Sequence, residues 1–474
     1  MKRKPKAIFT LLTVSMLALS LLAGCGGKSA TETTSAPTAA PTEAAAPAET
    51  PAPTAAATEA PKSTELEGKV VFWSMWSSSE PQSKVIDAAV AEFKAANPKV
   101  ELEVKFTGRE LGKLIKPALD GGQQVDIWEG DPEKLIGNLK DHVLKLDDLI
   151  AQPAIGMDGK SVKDSIIPSL MEWTKSLSTV AGIEEGYYAI PQQPFAVLFF
   201  YNKALYEAAG ITSVPKTWEE FIADAELLKK SGVAPITFDD AYRDLFIGGY
   251  LGSAMGSDWV DQLVKDKTGE MWKDPIVLQF AKDIQNLTDK GYFSKKIAGS
   301  KYPAAQQDLV LGKSAAYLNG TWLPNEVSET AGADFKWGSY QFPTVSNGND
   351  KGGQQGLNFG AQALLINKDS KNAAAAFELV KYLVGKKAQE SMVKDAVAIP
   401  ATIDTAWPAP LAEAEVAFNN AKVNMPWGFG IDNGGDFSAN TVIPVFMELV
   451  TGKLKAEAYV AKMADEAKKF YTGK

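Results

Sequence analysis

The sequence predicts an α/β fold built on a mainly parallel sheet, and the observations behind this prediction lie between residues 69 and 128. Short apolar, β-rich runs alternate there with segments of helical periodicity, in the order strand, helix, strand, helix, strand. Because a helix that connects two strands of one sheet leaves them parallel, this order favours a parallel sheet with helices on both faces. A chain of 474 residues is also long enough for two or more domains.

The first strand and helix are predicted from composition and period. Residues 69–73 (KVVFW) form a short β-rich run. Ser79-Glu80-Pro81-Gln82 then matches a capping box with proline in the first helical turn. Apolar residues recur on one helical face from Val85 to Phe93, and Asn97-Pro98 ends the helix.

The next two strands follow the same logic. Residues 100–106 alternate strictly between apolar and polar, which is typical of a half-buried strand. A polar helix with Leu111, Leu114, Ile115 and Leu119 ends at Gly121-Gly122, and residues 125–128 return as a strand.

The later part of the chain also contains predicted helices and strands. Thr217–Glu220 is a second capping box, which opens a helix that Gly232 closes. Residues 234–238 resemble a strand, 373–384 an amphipathic helix, and 442–474 one or two further helices.

Parallel sheets bind ligands at the carboxyl ends of their strands. The residues placed there are Trp76 to Ser79 after the first strand and Glu129 to Asp131 after the third. Neither turn contains a Gly-rich phosphate loop, so nucleotide binding loses support.

Composition excludes several classes of protein. The chain is 45% hydrophobic and 23% charged, as in ordinary soluble globular proteins. Its net charge is −9, and removal of the four basic residues among the first 24 leaves 45 basic against 58 acidic residues, or −13. Such a chain is poorly suited to nucleic acid or anionic lipid. One Cys and one His are too few for a disulfide framework or a zinc cluster.

The amino-terminal segment has the pattern of a signal peptide followed by a lipid-attachment site. A basic start precedes an apolar run from Ile8 to Leu22, which is shorter than the ~20 residues of a membrane-spanning helix and indicates a signal peptide over residues 1–24. Leu22-Ala23-Gly24-Cys25 resembles the bacterial lipobox, in which the Cys thiol receives a diacylglycerol and the protein is then held by its acyl chains. The alternative is a secretory peptide with an incidental Cys25.

Residues 25–65 are expected to be the lipidated Cys and a disordered linker. From residue 28 to 64, 28 of 37 residues are Ala, Thr or Pro, with no aromatic residue and no Val, Ile or Leu. Such a segment has no apolar surface to offset its ordering entropy, and its six prolines exclude a long helix.

Six segments, in order, resemble the extracellular solute-binding proteins of ABC importers, in the carbohydrate-binding family that includes maltose-binding protein. The likeness spans residue 69 to the carboxyl terminus. The segments are VVFWSMWSSSEPQ, VDIWEGDPEKL, YAIPQQPFAVLFFYNKALYEAAGI, VPKTWEEFIADAELLKKSG, GKSAAYLNGTW and ALLINKDSKNAAAAFELVKYL.

This resemblance implies a two-lobe, periplasmic-binding-protein-like fold of type II with the ligand cleft between the lobes. Crossing strands near 191–195, 357–363 and 416–423 would form the hinge. The first lobe would comprise 66–192 plus about 360–416, and the second 193–359 plus about 420–474.

Sugars present apolar C–H faces and a rim of hydroxyls, so their sites combine aromatic rings with carboxylates and amides. Several of the 11 Trp lie in predicted loops rather than on periodic core faces. With the family pattern added, the expected ligand-binding residues are Trp76, Glu129, Asp131, Gln193, Phe195, Asp240, Arg243, Trp322, Phe359 and Trp427.

Five of these residues have a plainer interpretation. Trp76 would otherwise pack under the turn at 77–79, and Glu129 and Asp131 would be solvated helix caps. Asp240 and Arg243, beside Asp239 and Tyr242, would form a surface ion pair of little energetic value. Trp73 and Trp218 are expected in the core rather than in the site.

The leading hypothesis is reversible capture of a sugar, most simply an oligosaccharide, by closure of the lobes and its delivery to the transporter's membrane subunits. The protein would act as a monomer at the outer face of the bacterial cytoplasmic membrane, without catalysis and without cofactor or metal. No Asp-x-Asp-x-Asp-Gly loop supports calcium. The alternatives are a non-sugar solute in the same fold, or a secreted carbohydrate-active enzyme, which needs two carboxylates across the scissile bond.

Overall fold

The structure is a computed structural model that describes residues 65–345, residue 350 and residues 356–473. The expected signal peptide, the lipidated Cys25 and all but the last residue of the linker lie outside the described residues. All described residues belong to one compact unit that begins at Thr64. Within that part of the chain, none of the helices combines the length and the apolar character needed to cross a bilayer.

The strands are predominantly short and are distributed along the whole described chain. They are β1 (Gly68–Ser74), β2 (Val100–Phe106), β3 (Ile127–Gly130), β4 (Ile190–Asn202), β5 (Ala234–Thr237), β6 (Ser314–Gly320), β7 (Trp337–Tyr340), β8 (Gly356–Ile366) and β9 (Val423–Met425).

Helices separate most of the strands. They are α1 (Pro81–Ala96), α2 (Leu111–Asp120), α3 (Pro132–Asn138), α4 (Val162–Ser165), α5 (Pro168–Val180), α6 (Lys203–Ala208), α7 (Trp218–Lys230), α8 (Arg243–Met255), α9 (Ser257–Lys265), α10 (Pro275–Asp289), α11 (Ala304–Val310), α12 (Leu323–Glu326), α13 (Ser328–Ala331), α14 (Ala373–Val384), α15 (Lys386–Ala396), α16 (Ala412–Asn420), α17 (Ile443–Val450) and α18 (Ala456–Thr472).

The strands form a mixed sheet in the order β2-β1-β3-β8-β4-β6-β5, with β7 paired to β4 and β9 to β8. β1 is parallel to β2 and β3, which confirms the prediction for the first three strands. β8 is antiparallel to β3 and β4, and β4 is antiparallel to β6 and β7. The expectation of a mainly parallel sheet is therefore wrong for the molecule as a whole, because two long strands return across its centre.

The two long strands connect the two ends of this sheet. Residues 190–196 of β4 pair with β8, whereas 197–201 pair with β6. The first two expected crossings, 191–195 and 357–363, fall inside β4 and β8. The third expected crossing differs, because helix α16 extends to Asn420 and the strand β9 begins only at Val423.

The two predicted capping boxes have different outcomes. Thr217 caps α7, and the side chain of Glu220 accepts in return from the backbone of Thr217, as predicted. The box at Ser79 is wrong, because Glu80 is the N-cap of α1 and makes no side-chain cap bond. The Glu80 carboxylate instead accepts from the Ser77 amide at 2.6 Å, which turns it away from the helix.

The core is dominated by large apolar side chains on both parts of the sheet. Trp128, Trp272, Tyr250 and Tyr317 are fully buried. Trp73 and Trp218 are buried as predicted, and Trp218 packs against Phe221 and Tyr250.

Candidate ligand-binding cleft

A cavity of about 340 Å³ opens where β3 ends and α3 begins. Four residues predicted for the site line it: Asp131, Phe195, Trp322 and Trp427. The other lining residues are Met75, Arg109, Leu111, Gly112, Gly130, Lys134, Leu135 and Gln362. We call this cavity the cleft.

One side of the cleft is an aromatic wall formed by Phe195, Trp322 and Trp427. The two indoles are nearly parallel, with ring centroids 6.1 Å apart and planes inclined by 24°. Phe195 meets Trp322 and Trp427 edge to face at 5.8 and 6.1 Å. Both indoles are only partly buried, so they offer apolar ring surface to the cleft.

Trp322 follows β6 and is held against the middle of β4. The neighbouring Thr321 amide donates to the Ala196 carbonyl at 3.0 Å, and the Ala196 amide donates to the Thr321 hydroxyl at 3.2 Å. Tyr242 lies beside the Trp322 ring, with centroids 6.3 Å apart. The wall is therefore fixed to the strand that connects the two parts of the sheet.

Trp427 begins a tight turn whose next three residues have left-handed backbone angles. The φ values are 60° at Gly428, 52° at Phe429 and 101° at Gly430. This turn lies directly against α8, where a Cβ added at Gly248 would stand 1.9 Å from the Gly428 carbonyl oxygen. Glycine at 248 is required by this close approach, which places Trp427 in the cleft.

Two buried carboxyl groups accept hydrogen bonds from Trp427, one from its backbone and one from its side chain. Glu133 accepts from the Trp173 indole nitrogen at 3.1 Å and from the Trp427 backbone amide. Asp244 of α8 accepts from the Trp427 indole nitrogen. Burial, aided by repulsion from Asp131 and Asp432 respectively, raises the pKa of Glu133 and of Asp244 to about 7.

Trp76 does not line the cleft itself; it lies in a closed arrangement beneath Arg109, which does. Its indole nitrogen donates to the fully buried Glu129 at 2.7 Å, and the Ser74 hydroxyl donates to the same carboxyl group at 2.6 Å. Burial raises the pKa of Glu129 to about 7 against the lowering effect of these two bonds. The Arg109 guanidinium covers the Trp76 ring at 4.5 Å, and Trp76 is 6% exposed.

Asp131 is a helix cap, as its plainer interpretation predicted, and it also borders the cleft, where its ligand role stays a prediction. It is the N-cap of α3, where its side chain accepts from the Glu133 amide at 3.0 Å, and it also lines the cleft. Lys134 Nζ lies 3.6 Å from its carboxylate. Burial raises the pKa of Asp131.

Gln193 faces the same side of the sheet as a residue of the cleft. It is directly opposite Gln362 across β4 and β8, and residues directly opposite each other point to the same face. Gln193 is 8% exposed. The side-chain carbonyl oxygens of both glutamines are buried and accept no hydrogen bond from the described residues.

Three further predicted residues, like Trp76, Glu129 and Gln193, do not line the cleft. Asp240 pairs with Lys301 at 2.7 Å and accepts from the Tyr302 amide at 3.0 Å, so its observed ion-pair partner is not Arg243. Arg243 begins α8, and its Nε is buried without a partner among the described residues. Phe359 is buried against Phe418 at 5.0 Å. A ligand role for these three residues stays a prediction.

Arg109, Lys134 and Gln362 line the cleft and were not predicted. A signal existed for Arg109, since it follows β2, the neighbour of β1, and carboxyl ends of parallel strands share one edge. Lys134 lies in the first turn of α3, where a lysine is ordinarily a solvated surface residue, so its type and position give no signal. Gln362 lies in an apolar strand, GLNFGAQALLI, where no local pattern distinguishes it.

A second concavity, of about 380 Å³, lies at the end of β4 beside α6. Its lining includes Tyr201, Tyr206 and Ile211 but none of the predicted ligand-binding residues. Across the described part of the chain, no group of three or more His, Cys, Asp and Glu residues is placed to hold a metal ion.

Known proteins resemble this chain in sequence and in fold. The diacetylchitobiose binding protein NgcE of Streptomyces coelicolor is 22% identical over 61% of this chain and 61% of its own length. The multiple sugar-binding protein of Streptococcus mutans is 24% identical over 44% of this chain and 50% of its own. These alignments thus span less than two thirds of either relative.

The structure of a chitin oligosaccharide binding protein superposes with a TM-score of 0.65, at 21% identity, over 85% of this chain and 98% of its own. This likeness confirms the expected two-lobe α/β fold. Residues 76–390 match the family model of the bacterial extracellular solute-binding proteins. The chain belongs to that family.

Proposed function

We propose that the protein binds an oligosaccharide reversibly in the cleft, without chemical change, and delivers it to an ABC importer. The observation that carries this proposal is the wall of Phe195, Trp322 and Trp427 facing polar groups in one cavity. Partly buried indole faces cover the apolar C–H faces of a sugar, and amide and carboxylate oxygens accept from its hydroxyls. A volume of about 340 Å³ is within the range of small-molecule sites.

The names of the similar proteins support a sugar as the ligand. They specify diacetylchitobiose, multiple sugars and chitin oligosaccharides. Identities of 21–24% do not transfer a particular sugar to this chain. Chitobiose-type and cello-type disaccharides are therefore the first probes, followed by maltose- and raffinose-type sugars.

We further propose the lobe boundaries given by the resemblance, 66–192 plus about 360–416 and 193–359 plus about 420–474. The cleft agrees with them. Met75, Arg109, Asp131 and Gln362 come from the first set, whereas the aromatic wall comes from the second. A ligand touching both sets favours the closed arrangement, because only that arrangement provides both groups of contacts.

We also propose that a lipid anchor holds the protein at the membrane. Lipidation at Cys25 would hold a monomer at the outer face of the cytoplasmic membrane, with the Ala/Thr/Pro segment as a tether. Replacing Cys25 with Ser and finding the protein still in the membrane fraction would refute this part without affecting sugar binding.

The test of binding is thermal shift followed by calorimetry over the sugar panel. A ligand that binds only the folded state raises the melting temperature, and Trp322→Ala should largely abolish that rise. Trp337→Ala is the matched control, since Trp337 is a partly buried indole that packs on Phe200 and Phe335 and lies outside the cleft. Recovery of the bound sugar as hydrolysed product, or equal loss in both variants, would overturn the proposal.

A further inference from the structure

Two glutamine amides beside the cleft make no side-chain hydrogen bond with the described residues. Gln193 of β4 and Gln362 of β8 are directly opposite each other in the antiparallel pair, and Gln362 lines the cleft. The side-chain oxygens of both residues are buried without a partner, and neither amide nitrogen donates to another described residue. Gln193 is also more than nine-tenths buried. The two amides are therefore placed to bind something other than the protein.

Gln389 of α15 shows how a buried glutamine is satisfied within this fold. It is fully buried, donates to the Gln192 carbonyl at 3.1 Å and accepts from the Ala401 amide at 2.6 Å. A buried polar group that lacks such partners costs free energy, so nearly all of them are satisfied by protein, water or ligand. The side chains of Gln82, Gln192 and Gln306 also contain unpartnered atoms, but only Gln362 among the unpartnered glutamines lines the cleft.

The aromatic wall begins on the same face of the sheet. Phe195 is directly opposite Gly360, and each lies two residues along its strand from a glutamine of the pair, so the four residues share one face. A Cβ added at Gly360 would stand 2.9 Å from Phe195 Cζ, which shows that the ring lies over this glycine. Two residues of a strand span ~6.6 Å. The amides thus lie about the breadth of one sugar ring from the wall.

The chemistry of the amide fits a hydroxyl group better than an ion. A primary amide donates and accepts, as a sugar hydroxyl does, and the broad terminal torsion of glutamine lets either end turn towards the cleft. The two cations that line the cleft, Arg109 and Lys134, already have carboxylate partners at 2.7 and 3.6 Å. Two amides side by side match two hydroxyls on adjacent ring carbons, each of which donates to an amide oxygen or accepts from an amide nitrogen.

We propose that Gln362 and Gln193 are specificity-determining residues that bind two neighbouring hydroxyls of the sugar ring covered by the aromatic wall. Gln362 makes the contact at the cleft surface, and Gln193 binds the second hydroxyl behind it. The preferred ligand class is an oligosaccharide whose bound ring has an unsubstituted vicinal diol. This inference rests on the proposed function and deepens it.

The first test compares wild type with Gln362→Met and with the double variant Gln193→Met/Gln362→Met. Methionine is similar in size to glutamine and has no amide. Calorimetry with cellobiose, diacetylchitobiose, maltose and raffinose should show that the tightest-bound sugar loses about tenfold in affinity in the single variant and about 100-fold in the double variant. The melting temperature of the sugar-free variants should equal or exceed that of wild type, because an unsatisfied buried oxygen is removed.

Gln389→Met is the matched control for stability. Both ends of the Gln389 amide are bonded to the protein, so its replacement should lower the melting temperature of the sugar-free protein. The opposite responses of the two sites distinguish an amide that serves a ligand from one that serves the fold.

The second test uses monodeoxy derivatives of the tightest-bound sugar. A derivative that lacks a hydroxyl bound by the pair should bind wild type about tenfold more weakly than the parent sugar. In the double variant this affinity ratio should fall towards one, because the effects of removing two groups in contact are not additive. A role of the glutamines in folding alone would leave the ratio unchanged.

The outcomes separate this inference from the proposed function. Wild-type affinity in the double variant, a fall in melting temperature as large as that of Gln389→Met, or an unchanged deoxy ratio overturns the role of the two glutamines. If a panel sugar still binds wild type and loses affinity in Trp322→Ala, the proposed function stands despite that result. If no panel sugar binds wild type, both fail.

Discussion

Two tryptophan regions, one that lines the cleft and one covered by a lining residue, differ in how much of the indole is available. Trp76 is 6% exposed, with its nitrogen bonded to a buried carboxyl group and its face covered by Arg109. Trp322 and Trp427 are partly buried, stack on each other and line the cavity. The same residue type therefore stabilises the fold in one region and offers a ligand surface in the other.

The largest effect is expected from replacing the buried Trp76. Trp76→Ala should lower the free energy of unfolding by about 3–5 kcal/mol, because it leaves a cavity and deprives Glu129 of a donor. Urea unfolding followed by circular dichroism measures this loss. A variant of normal stability whose sugar affinity falls more than about tenfold would show that Trp76 contacts the ligand, as the sequence predicted.

The second prediction concerns the carboxyl group beneath Trp76. Because the folded protein retains the Glu129 proton up to about pH 7, whereas the unfolded chain loses it near pH 4.5, stability falls as the pH rises between these values. The contribution present below pH 4.5 and lost by pH 7 is about 3 kcal/mol. Glu133 and Asp244 act with the same sign, so the comparison must be between wild type and Glu129→Gln.

Glu129→Gln can still accept from the Trp76 indole and donate to the Ser74 hydroxyl. We expect wild type and variant to be similarly stable at pH 4.5 and the variant to be the more stable at pH 8. Thermal unfolding at several pH values measures the difference. Parallel pH profiles for the two proteins would contradict the assignment to Glu129.

The third prediction concerns Trp322, one of the partly exposed indoles of the aromatic wall. Trp322→Ala should weaken sugar binding by about 2 kcal/mol, roughly 30-fold, because interface-centre aromatic residues dominate binding energy. Its loss of stability should be smaller than that of Trp76→Ala, since the ring is only partly buried. Calorimetry and urea unfolding of the same two variants provide the comparison. Equal stability losses would remove the distinction between the two regions.

The smallest effect is expected for the residue that covers Trp76. Arg109→Ala removes an exposed ion pair with Glu80 and a cation–π contact, and should lower stability by less than about 1 kcal/mol. It should also raise the accessibility of Trp76 to a fluorescence quencher such as acrylamide. Quenching equal to that of wild type would show that Arg109 does not cover the ring.

Local patterns predicted the first half of the sheet well. The periods of helix and strand are properties of neighbouring residues, and they located β1, α1, β2, α2 and β3 in order. The antiparallel pairing of β3 with β8 joins Trp128 to Leu365, and no local signal links such distant residues. The sequence pattern therefore could not predict that β8 runs antiparallel to its neighbours β3 and β4.

The candidate site was predicted in part for a related reason. Loop aromatic residues and the family pattern identified Phe195, Trp322 and Trp427, which the fold brings together. The closed state of Trp76 depends on Glu129 and Arg109, which are 53 and 33 positions away. Contacts between such distant residues decide how exposed an indole is. The sequence therefore identified Trp76 as a candidate without revealing which residues cover its ring.

The close approach of Gly248 to the Trp427 turn matters for anyone who would redesign the specificity of this protein. Trp427 itself tolerates exchange in principle, since its ring borders an open cavity. Gly248 does not contact that cavity, yet a single methyl group there would collide with the Gly428 carbonyl and displace the indole. Libraries that randomise the cleft should leave this remote glycine untouched, whereas its replacement by alanine provides a way to disable the site from outside.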